Sequence, residues 1–143
     1  MTGTTTDRSA AALDVRAARA LPDSSAEVGQ LWRSATGMTT RDLPAMGLAA
    51  GERPAADVEV LAGALAAVEY EVARRMHAAA TSGSLPLVGP GALLAARGWA
   101  PGHSRRLARA GALAAEHPDL AAAWGAGLIT AEHVDAVARH AQS

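Results

Sequence analysis

The chain has 143 residues, half of them hydrophobic, with a formal net charge of -1 and no cysteine. This length suits one domain with a modest core. The near-neutral charge argues against a protein that coats nucleic acid with its whole surface, so any such binding must use a local patch. The lack of cysteine excludes disulfides and thiolate metal sites.

The composition favours helices. Most of the hydrophobic residues are alanine, the strongest helix former, and strand formers never alternate over a useful length. We therefore predict an all-α fold, a helical bundle with one long scaffold helix and a helix-turn-helix-like C-terminal half. No segment has the pattern of a signal peptide or of a membrane span, so we expect a cytoplasmic protein without membrane association.

The first 25 residues are rich in Thr, Ala, Arg and Asp and end in LPDSS, a composition typical of turns. We predict a disordered tail over residues 1–25 and a helical domain over residues 26–143. The domain opens with a short amphipathic helix, in which Val28, Leu31, Trp32 and Ala35 recur at spacings of three and four. Trp32 is interpreted as a core or packing residue rather than a platform for a ligand.

A long helix is predicted from Ala56 to about Ala80. Its large apolar residues recur at every third or fourth position, which predicts one continuous buried stripe. The members of this stripe are Val58, Leu61, Leu65, Val68, Val72 and Met76. Glu71 and Arg75 have the order and spacing of a supportive i,i+4 ion pair.

The stretch after the long helix predicts a helix, a tight turn and a second helix. Ala92 to Arg97 form a short apolar run, Gly98 can adopt the positive φ that closes a helix, and Pro101 has the fixed φ suited to a helix start. On the second helix Leu107, Ala110, Gly111 and Ala114 share one side, which is predicted to pack. The other side carries Arg105, Arg106 and Arg109.

Two structures fit this pattern equally well. One is a helix-turn-helix, in which the first helix braces a second that presents side chains to the DNA major groove. The other is an ordinary helical hairpin with a solvated arginine face. Under the first interpretation, the candidate nucleic-acid-binding residues are Arg105, Arg106 and Arg109.

Two more helices are predicted at the end of the chain. The first runs from Leu120 to Ala126 and is closed by Gly127, and Thr130 is the predicted N-cap of the second. We expect this last helix to bury Val134, Val137, Ala138 and Ala141. We expect it to expose Glu132, Asp135 and Arg139. Because Ser143 ends the sequence without a terminal cap, we also expect a longer architecture, truncated here before any further domain.

Residues 92–141 resemble a known family through three features: the small-residue turn around Gly98, the Arg-Arg-Leu run at Arg105 to Leu107, and the Gly-Leu-Ile-Thr turn before a helix that contains His133. The chain looks like the actinobacterial domain of unknown function family 222, or 13E12 repeat family, from roughly Ala56 to Ser143, and the resemblance is strongest from Ala92 onward. This resemblance implies a helical region N-terminal to an HNH endonuclease domain. It makes nucleic-acid binding the expected activity.

The same segment is more loosely similar to the DNA-binding core of ParB-type partition proteins. The shared features are a helix-turn-helix, a short helix, a glycine turn and a helix that opens with a histidine. Ser104 departs from that pattern, where a larger apolar residue is expected, and the nucleotide-binding segment is missing. This second resemblance supports DNA binding by analogy alone.

The residues supply no catalytic site. An HNH centre needs histidine and asparagine on a compact ββα unit that holds a metal ion, and this chain has no asparagine. His133 and His140 share a helical face, but two turns, about 10 Å, separate them, too far for one metal ion. We therefore predict no catalytic residue, no metal site and no cofactor, and expect the chain alone to be non-catalytic although the family it resembles is enzymatic.

Two alternatives to nucleic-acid binding remain. Alanine-rich helices with an exposed Trp99 or Trp124 would suit a protein partner or self-association, and an inactive gene fragment would need no ligand. A free basic patch favours DNA, whereas an exposed apolar patch favours a protein partner.

Overall fold

The computed structural model describes residues 24–39, 53–83 and 89–141. These ranges hold six α-helices and no strand, so the predicted all-α class is confirmed. The helices are α1 (Ala26–Thr39), α2 (Arg53–Thr81), α3 (Pro90–Ala96), α4 (Pro101–Glu116), α5 (Pro118–Gly125) and α6 (Ala131–Ala141). The chain divides into two compact units, Met1–Ala49 and Ala50–Ser143. The predicted disordered tail lies almost wholly outside the described residues and stays a prediction.

In the first unit, α1 begins as an N-capped helix. The Ser25 hydroxyl accepts a hydrogen bond from the backbone N–H of Val28 at 3.3 Å, which satisfies one of the unpaired donors of the first turn. The helix covers the predicted amphipathic segment, but none of its residues is buried. Trp32 in particular is 47% exposed, so it is not a core residue of the described part of this unit.

In the second unit, α2 is the predicted scaffold, but its predicted stripe is wrong in its first half. Val58, Leu61 and Leu65 are 65%, 51% and 61% exposed. At the other end of the stripe Met76 is buried, as predicted, and the other residues that the helix buries are Ala66 and Ala73. Periodicity identified an apolar face, but the other helices pack mainly on the alanine side, where small side chains let the backbones approach closely.

The crossing of α2 and α4 shows how close that approach is. A Cβ atom on Gly111 would lie 2.8 Å from the carbonyl oxygen of Ala73, so only glycine fits there. Around it α4 buries Leu107, Ala110 and Ala114, which confirms the predicted packing side of this helix.

The turn between α3 and α4 is as predicted. Gly98 has a φ of 93° and donates its N–H to Ala95, while Trp99 donates to Leu94, the two hydrogen bonds of a Schellman motif. Pro101 then opens α4.

Ser104 occupies the contact between α3 and α4. It is 1% exposed, and its hydroxyl donates to the carbonyl oxygen of Ala100 at 3.1 Å. A Cβ on Gly91 of α3 would lie 3.5 Å from the Ser104 carbonyl group. This close approach gives a physical reason for a small side chain at the position where the partition-protein pattern has a larger one.

Trp124 of α5 is the largest fully buried side chain in the described residues. Its ring packs against Tyr70 of α2 at a centroid distance of 5.3 Å and an angle of 58°. The suggestion that an exposed Trp124 docks a partner is therefore wrong. The other tryptophan of that suggestion, Trp99, is 38% exposed.

Gly127 ends α5, as predicted, with a φ of 76°. A Cβ on it would lie 2.5 Å from the carbonyl oxygen of Gly63 in α2. This glycine therefore both closes one helix and lets the chain cross another.

The last helix, α6, packs on α4. It buries Ala131, Val134 and Ala138, so the prediction is confirmed for Val134 and Ala138. Two other predictions are wrong, since Val137 is 45% exposed and Asp135 is 1% exposed. The buried face follows the series 131, 134, 135 and 138, which includes the aspartate. The Ala141 side chain lies outside the description. No helix in the described ranges is both long enough and apolar enough to cross a bilayer.

Candidate nucleic-acid interface

The three predicted arginines lie on the part of α4 that faces away from its packed side. Arg105 is exposed, and the side chains of Arg106 and Arg109 are 38% and 45% exposed. They are held in different ways. Arg106 and Arg109 reach towards α6, whereas Arg105 forms no ion pair with any of the described residues.

Asp135 of α6 holds the arginine cluster together. Its carboxylate accepts hydrogen bonds from Arg109, from Nε to Oδ1 at 3.0 Å and from Nη2 to Oδ2 at 3.4 Å. Arg106 Nε lies 3.8 Å from Oδ2, and Arg139 Nε of the same helix lies 3.4 Å from it. A buried carboxylate needs such compensation, because its removal from water is otherwise costly.

The cluster keeps a positive surface although its centre is negative. The Asp135 carboxylate is buried, whereas the side chain of Arg139 is 68% exposed and those of Arg106 and Arg109 remain partly exposed. Glu132 is the other carboxylate there, 3.7 Å from Arg106. With Arg105, four guanidinium groups stand against two carboxylates. We call Arg105, Arg106, Arg109 and Arg139 the arginine surface.

The N-terminus of α6 lowers the pKa of Glu132. The backbone N–H of Thr130 donates to Nδ1 of His133 at 3.1 Å, so that nitrogen is occupied as an acceptor. The Thr130 hydroxyl can then donate to Glu132, and this hydrogen bond is the main cause that lowers the pKa of Glu132 below its usual 4.5. The backbone N–H of Glu132 lowers this pKa further, burial opposes both hydrogen bonds, and the charge of Arg106 adds a smaller lowering effect.

Arg105 and Arg109 also border an open cleft between α3 and α4. The cleft has a volume of about 440 Å³ and is otherwise lined by small residues, among them Ala92, Ala95 and Pro101. Its chemistry is apolar at the floor and cationic at the rim. Such a cleft can accept a flat apolar group that carries an anionic neighbour.

The first turn of α4 is tied to α2 at one edge. His103 stacks on Trp99 at a centroid distance of 5.4 Å, and its Nε2 lies 3.6 Å from Oε1 of Glu69. His103 therefore faces the scaffold helix and takes no part in the arginine surface. The described residues contain no cluster of three or more His, Asp or Glu side chains that could hold a metal ion.

Asp135 and Arg139 are the members of this site that sequence reasoning missed as functional residues. The signal was present, because 131, 134, 135 and 138 have the i, i+3, i+4, i+7 spacing of a buried face. An aspartate in that series needs a cationic partner, and α4 offers several at the right spacing.

Comparison with known proteins adds no relative, since no family model, no curated protein and no solved structure matches this chain. The resemblance to the domain of unknown function family 222 stays a prediction.

Proposed function

We propose that this chain is a nucleic-acid-binding helical domain of the HNH-endonuclease-associated type, and that it lacks the HNH catalytic motif. The arginine surface is the observation that carries the proposal. It brings together four guanidinium groups from two helices. These groups lie beside the glycine turn that connects α3 to α4, the two helices of the proposed helix-turn-helix. Guanidinium groups bind phosphate oxygens through paired donors.

The electrostatics favour weak, local binding. The whole chain is nearly neutral, so it offers no broad field that would attract a polyanion. Phosphate contacts by a few arginines produce affinity that falls with salt, by a slope of about 0.9 per contact in a plot of log affinity against log salt concentration. We expect duplex DNA to bind at low ionic strength and to dissociate near physiological salt.

Arg105→Ala is the sharpest test of this function. Arg105 is exposed and lacks an ion pair within the described residues, so its removal leaves the α4–α6 contact intact. Binding of a labelled duplex, followed by fluorescence anisotropy across a salt titration, should weaken, with the slope reduced by about 0.9. Arg33→Ala is the matched control, because it removes the same charge from an exposed position on α1.

A second variant tests the rest of the arginine surface without exposing a buried charge. The combination of Arg106→Ala, Arg109→Gln and Asp135→Asn removes two of the three remaining cations, and an amide replaces the buried carboxylate. We expect most of the remaining DNA affinity to be lost while the helical circular dichroism is retained. Equal affinity of this variant, the Arg105 variant and the original chain at every salt concentration would refute nucleic-acid binding by this surface.

A further inference from the structure

One flank of α2 carries an apolar stripe whose first half the described residues of its unit leave exposed. Val58, Leu61 and Leu65 are more than half exposed, and the line continues into the half-buried Val68 and Val72, of which Val72 also packs against the core of its own unit. These five residues, which we call the α2 stripe, alternate at spacings of three and four. That is the a/d spacing of a two-helix coiled coil.

Apart from Val72 at its C-terminal end, the α2 stripe is distinct from the face that α2 packs within its unit. At 100° per residue, its centre lies about 115° around the helix from the buried Ala66 and Ala73. All residues from Ala55 to Ala62 are exposed, so the first turns of α2 extend away from the packed helices. Ala62 and Ala64 beside the stripe are small and exposed, and would allow a second helix to approach closely.

Charge is distributed unevenly along the same helix. Asp57 lies in its first turns and Arg75 about five turns later, and both flank the α2 stripe at about 60° from its centre. Arg75 also contacts Glu71 on its own helix, at 3.0 Å, but Glu71 lies about 100° from the centre of the stripe and does not flank it. One end of the α2 stripe is therefore acidic and the other basic.

We propose that the α2 stripe is the interface with a second copy of this chain, and that the two α2 helices pair antiparallel. In the pairing that places a positions opposite d positions, Leu65 faces Val68 of the second copy and Leu61 faces its Val72. The two-fold axis then passes between residues 66 and 67. The same pairing brings Asp57 of each copy beside Arg75 of the other, since both residues lie about 60° from the centre of the stripe on the same side of the helix.

The charges select this orientation over the alternative. A parallel pair would place acidic ends together and basic ends together, and such like-charge contacts are unfavourable. The antiparallel pair has two complementary ends and an apolar centre. The inference does not depend on nucleic-acid binding, because the α2 stripe shares no residue with the arginine surface.

The first experiment is sedimentation velocity over about 10 μM to about 1 mM of the full chain, the range in which a small helical interface dissociates. We expect the sedimentation coefficient to rise with concentration from monomer to dimer. Leu65→Glu should weaken dimerisation about tenfold or more, as expected for a central apolar contact. Val60→Glu is the matched control, since Val60 is 71% exposed on the same helix but lies away from the stripe.

Charge reversal tests the register. Asp57→Arg alone and Arg75→Glu alone each place like charges opposite one another and should weaken the dimer. The double variant restores opposite charges with their positions exchanged and should recover most of the loss. Additive weakening in the double variant would overturn the proposed register.

Cysteine cross-linking tests the orientation, and the chain has no cysteine of its own to interfere. In the antiparallel pair, the two copies of residue 65 lie close to the axis, whereas the two copies of residue 58 are about 25 Å apart along it. Under mild oxidation we expect Leu65→Cys to form a disulfide-linked dimer and Val58→Cys to remain largely monomeric. Equally fast cross-linking of both variants would show a parallel pair, and a chain that stays monomeric up to about 1 mM would refute self-association.

Discussion

Asp135 sets the geometry of the arginine surface, because its buried carboxylate orients guanidinium groups that would otherwise be mobile in solvent. Long exposed side chains lose conformational freedom when they bind a ligand. Arg109 has already lost part of that freedom to its hydrogen bonds with Asp135. The aspartate thus reduces the local positive charge, but it also holds the arginine side chains in place before a ligand binds.

The ion pair between Arg109 and Asp135 should contribute measurably to folding. We predict that Arg109→Ala lowers the free energy of unfolding by about 1–3 kcal/mol, because it removes hydrogen bonds from a buried charged acceptor. Arg105→Ala should change it by less than about 0.5 kcal/mol, since that side chain is exposed. Urea denaturation followed by circular dichroism measures both. Equal effects would show that Arg106 and Arg139 compensate fully for the loss of Arg109.

Thr130 should control the titration of Glu132. A carboxyl group whose pKa is lowered in the folded state stabilises the fold above its unfolded pKa, near 4.5, and this contribution is lost as the pH falls through the lowered value. We predict that Thr130→Val moves the pKa of Glu132 upward, towards 4.5, because the hydroxyl donor is removed. Carbon-detected NMR titration of the Glu132 carboxyl group measures the shift. An unchanged pKa would assign the effect to Arg106 and the backbone instead.

Sequence reasoning located the arginines of α4 but not their partner. Their shared side followed from helical spacing alone, because Leu107, Ala110, Gly111 and Ala114 define the opposite side. Asp135 was placed on the solvent face of α6, since an isolated aspartate is usually exposed. The spacing of residues 131, 134, 135 and 138 is that of a buried face, but the arginines that make burial of an aspartate possible lie on α4, and no pattern within α6 identifies them.

At the scale of helices, glycine positions decide where backbones meet. Gly111→Ala should destabilise the fold although alanine is the better helix former by about 1 kcal/mol. The added methyl group would meet the backbone of α2 at Ala73, and overpacking of this kind costs about 1–3 kcal/mol. Thermal unfolding of the variant should show a lower midpoint.

Gly102→Ala is the matched control for that substitution. Gly102 lies on the same helix with open space around its Cα, so alanine there should leave stability unchanged or raise it. If both variants were equally stable, the α2–α4 crossing would have to relax at little cost.

The turns were predictable and the buried face of α2 was not. Gly98, Pro101 and Gly127 act through their own backbone preferences, so their positions in the sequence were sufficient to predict where the helices begin and end. The orientation of α2 depends on which side lets α4 and α5 approach, and here close packing of small residues prevailed over the larger apolar stripe. The exposed Val58, Leu61 and Leu65 are the result.

For the whole molecule, composition was enough to predict the all-α class. The chain is rich in alanine, which favours helices, and it has no alternating run of the β-branched residues that favour strands. The packing of the helices could not be predicted from composition. Six alanines of the described residues are buried, and nothing in the sequence distinguishes them from the exposed alanines. The six buried alanines are Ala66, Ala73, Ala110, Ala114, Ala131 and Ala138.

The full chain should bind DNA without cutting it. We predict no nicking of supercoiled plasmid with magnesium, manganese, nickel or zinc ions, because the sequence has no asparagine for an HNH centre. Gel electrophoresis after incubation with each ion measures it. Metal-dependent nicking that follows the protein through successive chromatographic columns would reveal a catalytic site of another kind.

The unequal packing of α2 implies that one continuous helix has two very different amide-exchange rates. From Ala66 to Met76 one face of the helix is buried against neighbouring helices, so hydrogen exchange of the amides on that face requires opening of the unit. From Ala55 to Ala62 every residue is exposed, and the helix can fray from its N-terminus without disturbing the core. Amide protection therefore rises steeply along a helix that looks uniform by its backbone geometry.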